Sequence, residues 1–186
     1  MFSKLLLSLK IKLGKTTREE LSVKACIQRG MKVGENCHGL ASSTIDYAHC
    51  WLIEIGDKVT FAPQVYLLAH DASTKRHLDY TKIAKIKIKD NVFIGARAFI
   101  MPGITIGENS IVAAGSIVTK SVPEGSVVAG NPARIISKTK DYIDKHKEGL
   151  EEAKIYDSSW TIGENITKEM CITMSKELDC SLGYVK

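Results

Sequence analysis

The sequence predicts a mainly β protein: a parallel β-helix of six-residue repeats, bracketed by N-terminal and C-terminal helices. Three observations point there. Ile88, Ile94, Ile100, Ile106, Val112 and Val118 fall six residues apart without a break, and Ile55, Phe61 and Leu67 form an earlier run with the same step. Two residues before each of these lies Ile53, Val59, Val65, Ile86, Val92, Ala98, Ile104, Ser110 or Ser116, apolar or small throughout. Polar corners such as GDK, KDN, PG and GEN separate the pairs, and these are turn-forming residues.

A period of six does not suit an amphipathic helix. At about 100° per residue, successive members turn by roughly 600° and scatter around the axis. Locally, the residues at i−2 and i share one face of a strand. Short strand, corner, short strand is the pattern of stacked coils that bury one continuous aliphatic column. A β-sandwich would instead space its strands by about 8–12 residues.

The elements follow in order. Residues 1–14 predict an amphipathic helix whose leucines cap the open end of the stack, and 17–29 predict a second helix. Thr17 and Glu20 have capping-box spacing, and Gly30 is a helix stop. Residues 1–31 thus form a helical cap. The repeat domain spans 32–138, with coils from near Val33 to about Val128. Within it, the polar stretch 71–85 (DASTKRHLDYTKIAK) leaves the six-residue register and predicts a protruding loop. Residues 139–186 form a C-terminal helix and tail, the helix over 139–154 from its Lys and Glu spacing; the tail 155–186 shows no repeat.

Composition narrows the function classes. A chain of 186 residues and 20.5 kDa suits one domain. Its formal charge of +5 is too small and too dispersed to predict a nucleic-acid partner. No apolar run approaches the ~18 residues of a membrane span. The opening MFSKLLLSLKIKLGK is interrupted by Lys4, Lys10 and Lys12 and lacks a small-residue cleavage site, so it predicts no secretory signal. Cys26, Cys37, Cys50, Cys171 and Cys180 are odd in number and lack CxxC spacing. They predict reduced thiols and a cytoplasmic protein.

The stretch IKIKDNVFIGARAFIMPGITIGENSIVAAGSIVTKSVPEGSVVAGNPARII strongly resembles the hexapeptide-repeat acyltransferases, in the branch of maltose, galactoside and capsule-sugar O-acetyltransferases. The preceding IDYAHCWLIEIGDKVTFAPQVYLLAHDAST is similar to the same family's substrate-side coils, so the resemblance covers about residues 25–140. It implies a left-handed β-helix, an exception to the usual right-handed crossover. It also implies a homotrimer, with acetyl-CoA as acyl donor and a small-molecule sugar or glycan acceptor bound between subunits.

The resemblance places the general base at His70, where VYLLAH meets the loop. A sugar hydroxyl is a poor nucleophile, and an imidazole can take its proton as it attacks the thioester. Asp46 is the carboxylate candidate for holding either His70 or the acceptor. Tyr47, His49 and Trp51 lie on the same substrate-side stretch, where aromatic faces suit a sugar, and Asp71 is a further acceptor contact. On the cofactor side, Ala96 and Ala114 match positions whose backbone faces the pantetheine arm. Thr119 and Lys120 match a pair beside the nucleotide end, Arg134 in NPAR matches a position near the phosphates, and Lys138 is a looser candidate. Basic side chains suit phosphates by charge and donor geometry.

Two rival classes share the scaffold. A gamma-type carbonic anhydrase needs three His ligands, two of them as H-x4-H, whereas His70 and His77 stand as H-x6-H; no metal cofactor is expected. A catalytically inactive β-helix used for assembly is the other, and His70, Lys120 and Arg134 speak against it.

Overall fold

A computed structural model describes residues 16–186. It divides into two compact units, one ending at Thr139 and one comprising Lys140–Lys186. The predicted helix over 1–14 lies outside the described residues.

The first unit consists of short, mainly parallel strands in three sheets that the chain visits in rotation. The first sheet orders Lys32–Val33, Ile53–Ile55, Ile86–Ile88 and Thr105–Ile106. The second sheet runs Thr60–Phe61, Phe93–Ile94, Ile111–Val112 and Ser126–Gly130, and ends on the antiparallel strand Ala133–Lys138. The third contains Thr44–Ile45, Tyr66–Leu67, Phe99–Ile100 and Ile117–Val118. Ile88 pairs with Ile106, Ile94 with Val112 and Ile100 with Val118, so one full circuit is three six-residue steps.

The six-residue periodicity is therefore the core. All eighteen positions named from the repeat are at most 4% exposed. Each fully buried aliphatic side chain contributes about 1.5–3 kcal/mol. Ser110 is tolerated inside because its hydroxyl donates to Pro123 O at 2.9 Å and accepts from Ser126 N. Successive corners lie so close that a Cβ on Gly95 would come within 2.4 Å of Ala114 N. Replacing the fully buried Ile94 by alanine is expected to cost about 2–5 kcal/mol, read from chemical denaturation of the two proteins.

The register breaks twice, at one edge. Ile45 to Ile55 is ten residues where six would continue the pattern, and Leu67 to Ile88 is twenty-one. Both insertions leave from the corner joining the third sheet to the first, on successive circuits, because Ile45 pairs with Leu67 and Ile55 with Ile88. The first insertion is wound as 3-10 turns over Tyr47–Leu52. The second, predicted as a protruding loop, is ordered: His70–Asp71 pairs antiparallel with Lys82–Ile83, and a short helix fills Lys75–Leu78.

Before the circuits, helix α1 (Arg18–Gln28) starts on the predicted capping box: Glu20 N donates to Thr17 Oγ1 at 3.1 Å and Thr17 N donates to Glu20 Oε2. It buries Cys26 beside Cys50 and Met31, and Gly30 ends it with φ +107°. All five cysteines are free. Burial, then the neighbouring Cys50 thiol, pushes the Cys26 thiol up to about 11. In the native protein, exposed Cys171 and Cys180 are expected to react with a thiol reagent while Cys26 and Cys50 react only on unfolding.

In the second unit the predicted helix over 139–154 is cut short. Helix α2 (Thr139–Gly149) stops at the glycine, and Lys154–Tyr156 is a strand. The tail is structured as well: α3 (Lys168–Glu177) is followed by Gly183–Val185, which pairs parallel with Lys154–Tyr156. The Tyr156 hydroxyl donates to Glu177 at 2.9 Å and fixes strand to helix. No helix among the described residues is long and apolar enough to cross a membrane.

Candidate active site

The two insertions, stacked at one corner, bring together side chains 24 positions apart. His70 is the last residue before the second insertion departs. Its Nδ1 lies 2.5 Å from Asp46 Oδ2, at the start of the first insertion. The Asp46 side chain is 2% exposed, and the same oxygen accepts Ala69 N at 3.0 Å. A buried carboxylate only accepts, so the shared proton is assigned to His70 Nδ1, and Nε2 is left with its lone pair on a side chain 38% exposed. The result is an oriented imidazole, open on one nitrogen, backed by a buried negative charge.

Asp46 is thus placed as the partner of His70. The other role read for it, a direct contact to the acceptor, would have to be made by a side chain that is buried and already bonded to His70 and Ala69. Asp71 is likewise engaged: its Oδ1 accepts Ser73 N at 2.8 Å and its Oδ2 is 2.5 Å from Lys82 Nζ. Lys82 first, then the Ser73 amide, holds the Asp71 carboxyl well below the usual carboxylate range. The pair clasps the base of the second insertion, so Asp71 fixes the ribbon that carries His70. Tyr47 is half-exposed, with the Arg29 guanidinium 4.5 Å above its ring.

His49 lies deeper in the site than its place among the aromatic candidates indicated. Its ring centroid is 5.0 Å from that of His70, and Trp51 flanks its other side at 5.6 Å. Its Nδ1 is buried, finds no hydrogen-bond partner among the described residues, and lies 3.8 Å from Asp46 Oδ1.

From this corner two cavities run on toward the C-terminal end of the stack. The first, about 300 Å³, is lined by Asp71, Lys82, Ile83, Met101, Pro102 and Thr119. The second, about 270 Å³, is lined by Val118, Lys120, Ser121, Val128, Arg134 and Ile135. Asp71, next to His70 in the chain, and Thr119 line the first cavity, and Lys120, next to Thr119 in the chain, and Arg134 line the second. Ala96 and Ala114 line neither; they sit at the corner joining the second sheet to the third, across that third sheet. Lys138 also stands apart, pairing with Ser126 at the far end of the strand that begins beside Arg134. Lys82 and Met101 are the contributors that the sequence reading did not assign, and His49, named there only for its aromatic face, adds a ring nitrogen beside Asp46. The signal for His49 was present, since the step from Ile45 to Ile55 already departs from six.

Comparison with known proteins agrees with this architecture. The family described as the hexapeptide repeat of succinyl-transferase matches residues 85–120. Galactoside O-acetyltransferase of Escherichia coli is 40% identical over 124 residues, 61% of this chain and 56% of that protein. The chain thus spans just over half the length of that relative. The Bacillus subtilis protein YvoF, named as an acetyltransferase, is 33% identical over 65% of this chain and 68% of its own length. Among solved structures, a maltose O-acetyltransferase from Clostridium difficile is 30% identical, with a TM-score of 0.50 over 73% of this chain and 84% of that one. A hexapeptide-repeat acetyltransferase from Vibrio cholerae is 25% identical, with a TM-score of 0.52 over 70% and 86%. Two circuits of matched repeat and relatives matched over more than half of their length agree: the chain belongs to the hexapeptide-repeat acyltransferases, in the branch of the maltose and galactoside O-acetyltransferases.

Proposed function

We propose that this protein transfers an acetyl group directly from acetyl-CoA to a hydroxyl of a sugar or glycan precursor, with His70 as general base. The observation that carries the reading is the His70–Asp46 pair, with Lys120 and Arg134 lining a cavity further along the stack. Nε2 takes the acceptor's proton as its oxygen attacks the thioester carbonyl. The C–O bond forms and the C–S bond breaks. The proton then passes from the imidazolium to the departing thiolate. Asp46 stabilises the imidazolium between these steps. The developing oxyanion is met by a backbone N–H or an ordered water.

Acetyl-CoA lies with its thioester at His70 and its phosphates toward Lys120 and Arg134. Circuits stack about 4.8 Å apart, so Lys120, two circuits beyond His70, stands about 10 Å further along the axis. An extended pantetheine arm spans that distance. Ala96 and Ala114 face the same ligand only if it sits between two copies of the chain, since they occupy the opposite edge of the third sheet. The circuits wind left-handed, and three chains close into a cyclic trimer. Outward Tyr66 and Phe99, stacked at 4.3 Å on the third sheet, give that face an apolar stripe suited to burial against a neighbour. Light scattering is expected to give about three times the 20.5 kDa of one chain. A monomer that still turns over acceptor would overturn the shared site.

The decisive experiment is thiol release from acetyl-CoA across a panel of sugars and nucleotide sugars. Release dependent on one acceptor class supports the reading, and none across the panel defeats it. Lys120→Ala and Arg134→Ala are each expected to raise the KM for acetyl-CoA ~10-fold, as for the loss of a charge-assisted hydrogen bond of ~1.5 kcal/mol. The kcat at saturation should stay near wild type, because this is uniform binding energy. Lost kcat with unchanged KM would reverse the orientation of the cofactor.

A further inference from the structure

We propose that Asp46, His49 and His70 form a binding site for a divalent zinc-class ion, and that filling it switches the enzyme off. Each of the three offers one ligand atom, and these atoms lie within 4.8 Å of one another. The donor set, two imidazole nitrogens and a carboxylate oxygen, is one that zinc favours. Ligand atoms sharing a tetrahedral zinc at about 2.0–2.2 Å stand about 3.3 Å apart. His49 Nδ1 and Asp46 Oδ1 are 3.8 Å apart, too far for a hydrogen bond and close to that spacing. A buried ring nitrogen without a protein partner faces the carboxylate. Because the ligands come from two circuits, no His-x-His spacing in the sequence announces the site.

The switch follows from tautomer chemistry and presupposes the acetyl transfer proposed above. In the active state the His70 proton sits on Nδ1, bonded to Asp46, and Nε2 is free to accept. A neutral imidazole that gives its Nδ1 lone pair to a metal carries its one proton on Nε2. Zinc at Nδ1 therefore moves the proton from one ring nitrogen to the other, with no net proton release, and converts the base into a donor. Zinc also takes the Asp46 charge that would stabilise the imidazolium. The fourth zinc position is left to water, open to the solvent that reaches His70.

Zinc titration followed by calorimetry tests this on the full chain stripped with a chelator. Binding is expected at one ion per chain, and the stripped enzyme's acetyl transfer should fall in parallel and return on chelation. His49→Ala and His49→Gln should each weaken zinc binding by at least ~10–100-fold, the loss seen even when an outer partner of a ligand is removed. His38→Ala, on the repeat surface away from the cluster, should bind as wild type does. Cobalt(II) in place of zinc should give the visible bands of a tetrahedral N/O site without thiolate charge transfer, which separates this site from Cys171 and Cys180. Absent binding, thiolate bands, or undiminished affinity in both His49 variants would overturn the metal site while leaving acetyl transfer by the stripped protein as proposed. Zinc binding with no transfer activity in stripped protein would instead defeat the functional reading alone.

Discussion

His70→Ala is expected to lower kcat/KM for acetyl transfer by ~10²–10⁴-fold, the usual worth of a positioned general base. The loss should fall on kcat and leave the KM for acetyl-CoA close to wild type, because in the proposed mechanism the imidazole acts on the acceptor's proton and the cofactor is held toward Lys120 and Arg134. The fold should survive the change. His70 is 38% exposed at the side chain, outside the aliphatic column, and its loss removes one bond from Asp46, which retains the Ala69 amide. Circular dichroism and the denaturation midpoint would confirm this beside the steady-state assay. A variant that kept more than about a tenth of wild-type activity would overturn His70 as the base. A variant that lost acetyl-CoA affinity in step with rate would move His70 from proton transfer to cofactor binding.

The fold was legible because its period is short and its core rule simple. Ile88 to Val118 and their i−2 partners all proved buried, and the break at 71–85 marked a real excursion. What the repeat could not tell was which corner each residue occupies. Ala96 and Ala114 are eighteen apart, one circuit, as are Met101 and Thr119; linear spacing makes the two pairs equivalent, yet only the second lies along the His70 edge. Asp46 was legible as a carboxylate for either His70 or the acceptor, but its hydrogen bond to His70 depends on Ile45 pairing with Leu67 across the first insertion, which linear spacing does not show. His49 was read only as an aromatic face, because its place beside Asp46 is set by two short 3-10 turns, which have no periodic signature. The tail has no repeat at all, and its strand over Gly183–Val185 exists only by pairing with Lys154–Tyr156.

Substitutions at Asp46 should separate its two contributions, charge and orientation, in a graded series. Asp46 Oδ2 accepts both His70 Nδ1 and Ala69 N, while Oδ1 faces the unpartnered Nδ1 of His49. In Asp46→Asn the amide oxygen can keep the first two bonds, and its NH2 can donate toward His49. The His70 tautomer is then preserved and only the buried negative charge is gone. The imidazolium formed during the reaction loses a charge-assisted bond worth ~1.5–3 kcal/mol, so kcat should fall ~10–10²-fold. Asp46→Ala removes orientation as well. His70 is then free to rotate and to exchange tautomers, and kcat should fall by ~10²–10⁴-fold, approaching the loss of the base itself. The alanine variant also strands the buried Ala69 amide, which should cost about 1–3 kcal/mol of stability that the asparagine variant retains. The acetyl-CoA KM should be constant across the series, because Asp46 is buried behind the histidine. Combining Asp46→Ala with His70→Ala should add little further loss, since both remove one catalytic unit. An asparagine variant as fast as wild type would show that the charge has no part in transfer. Independent, multiplying losses in the double variant would show that Asp46 acts elsewhere than through His70.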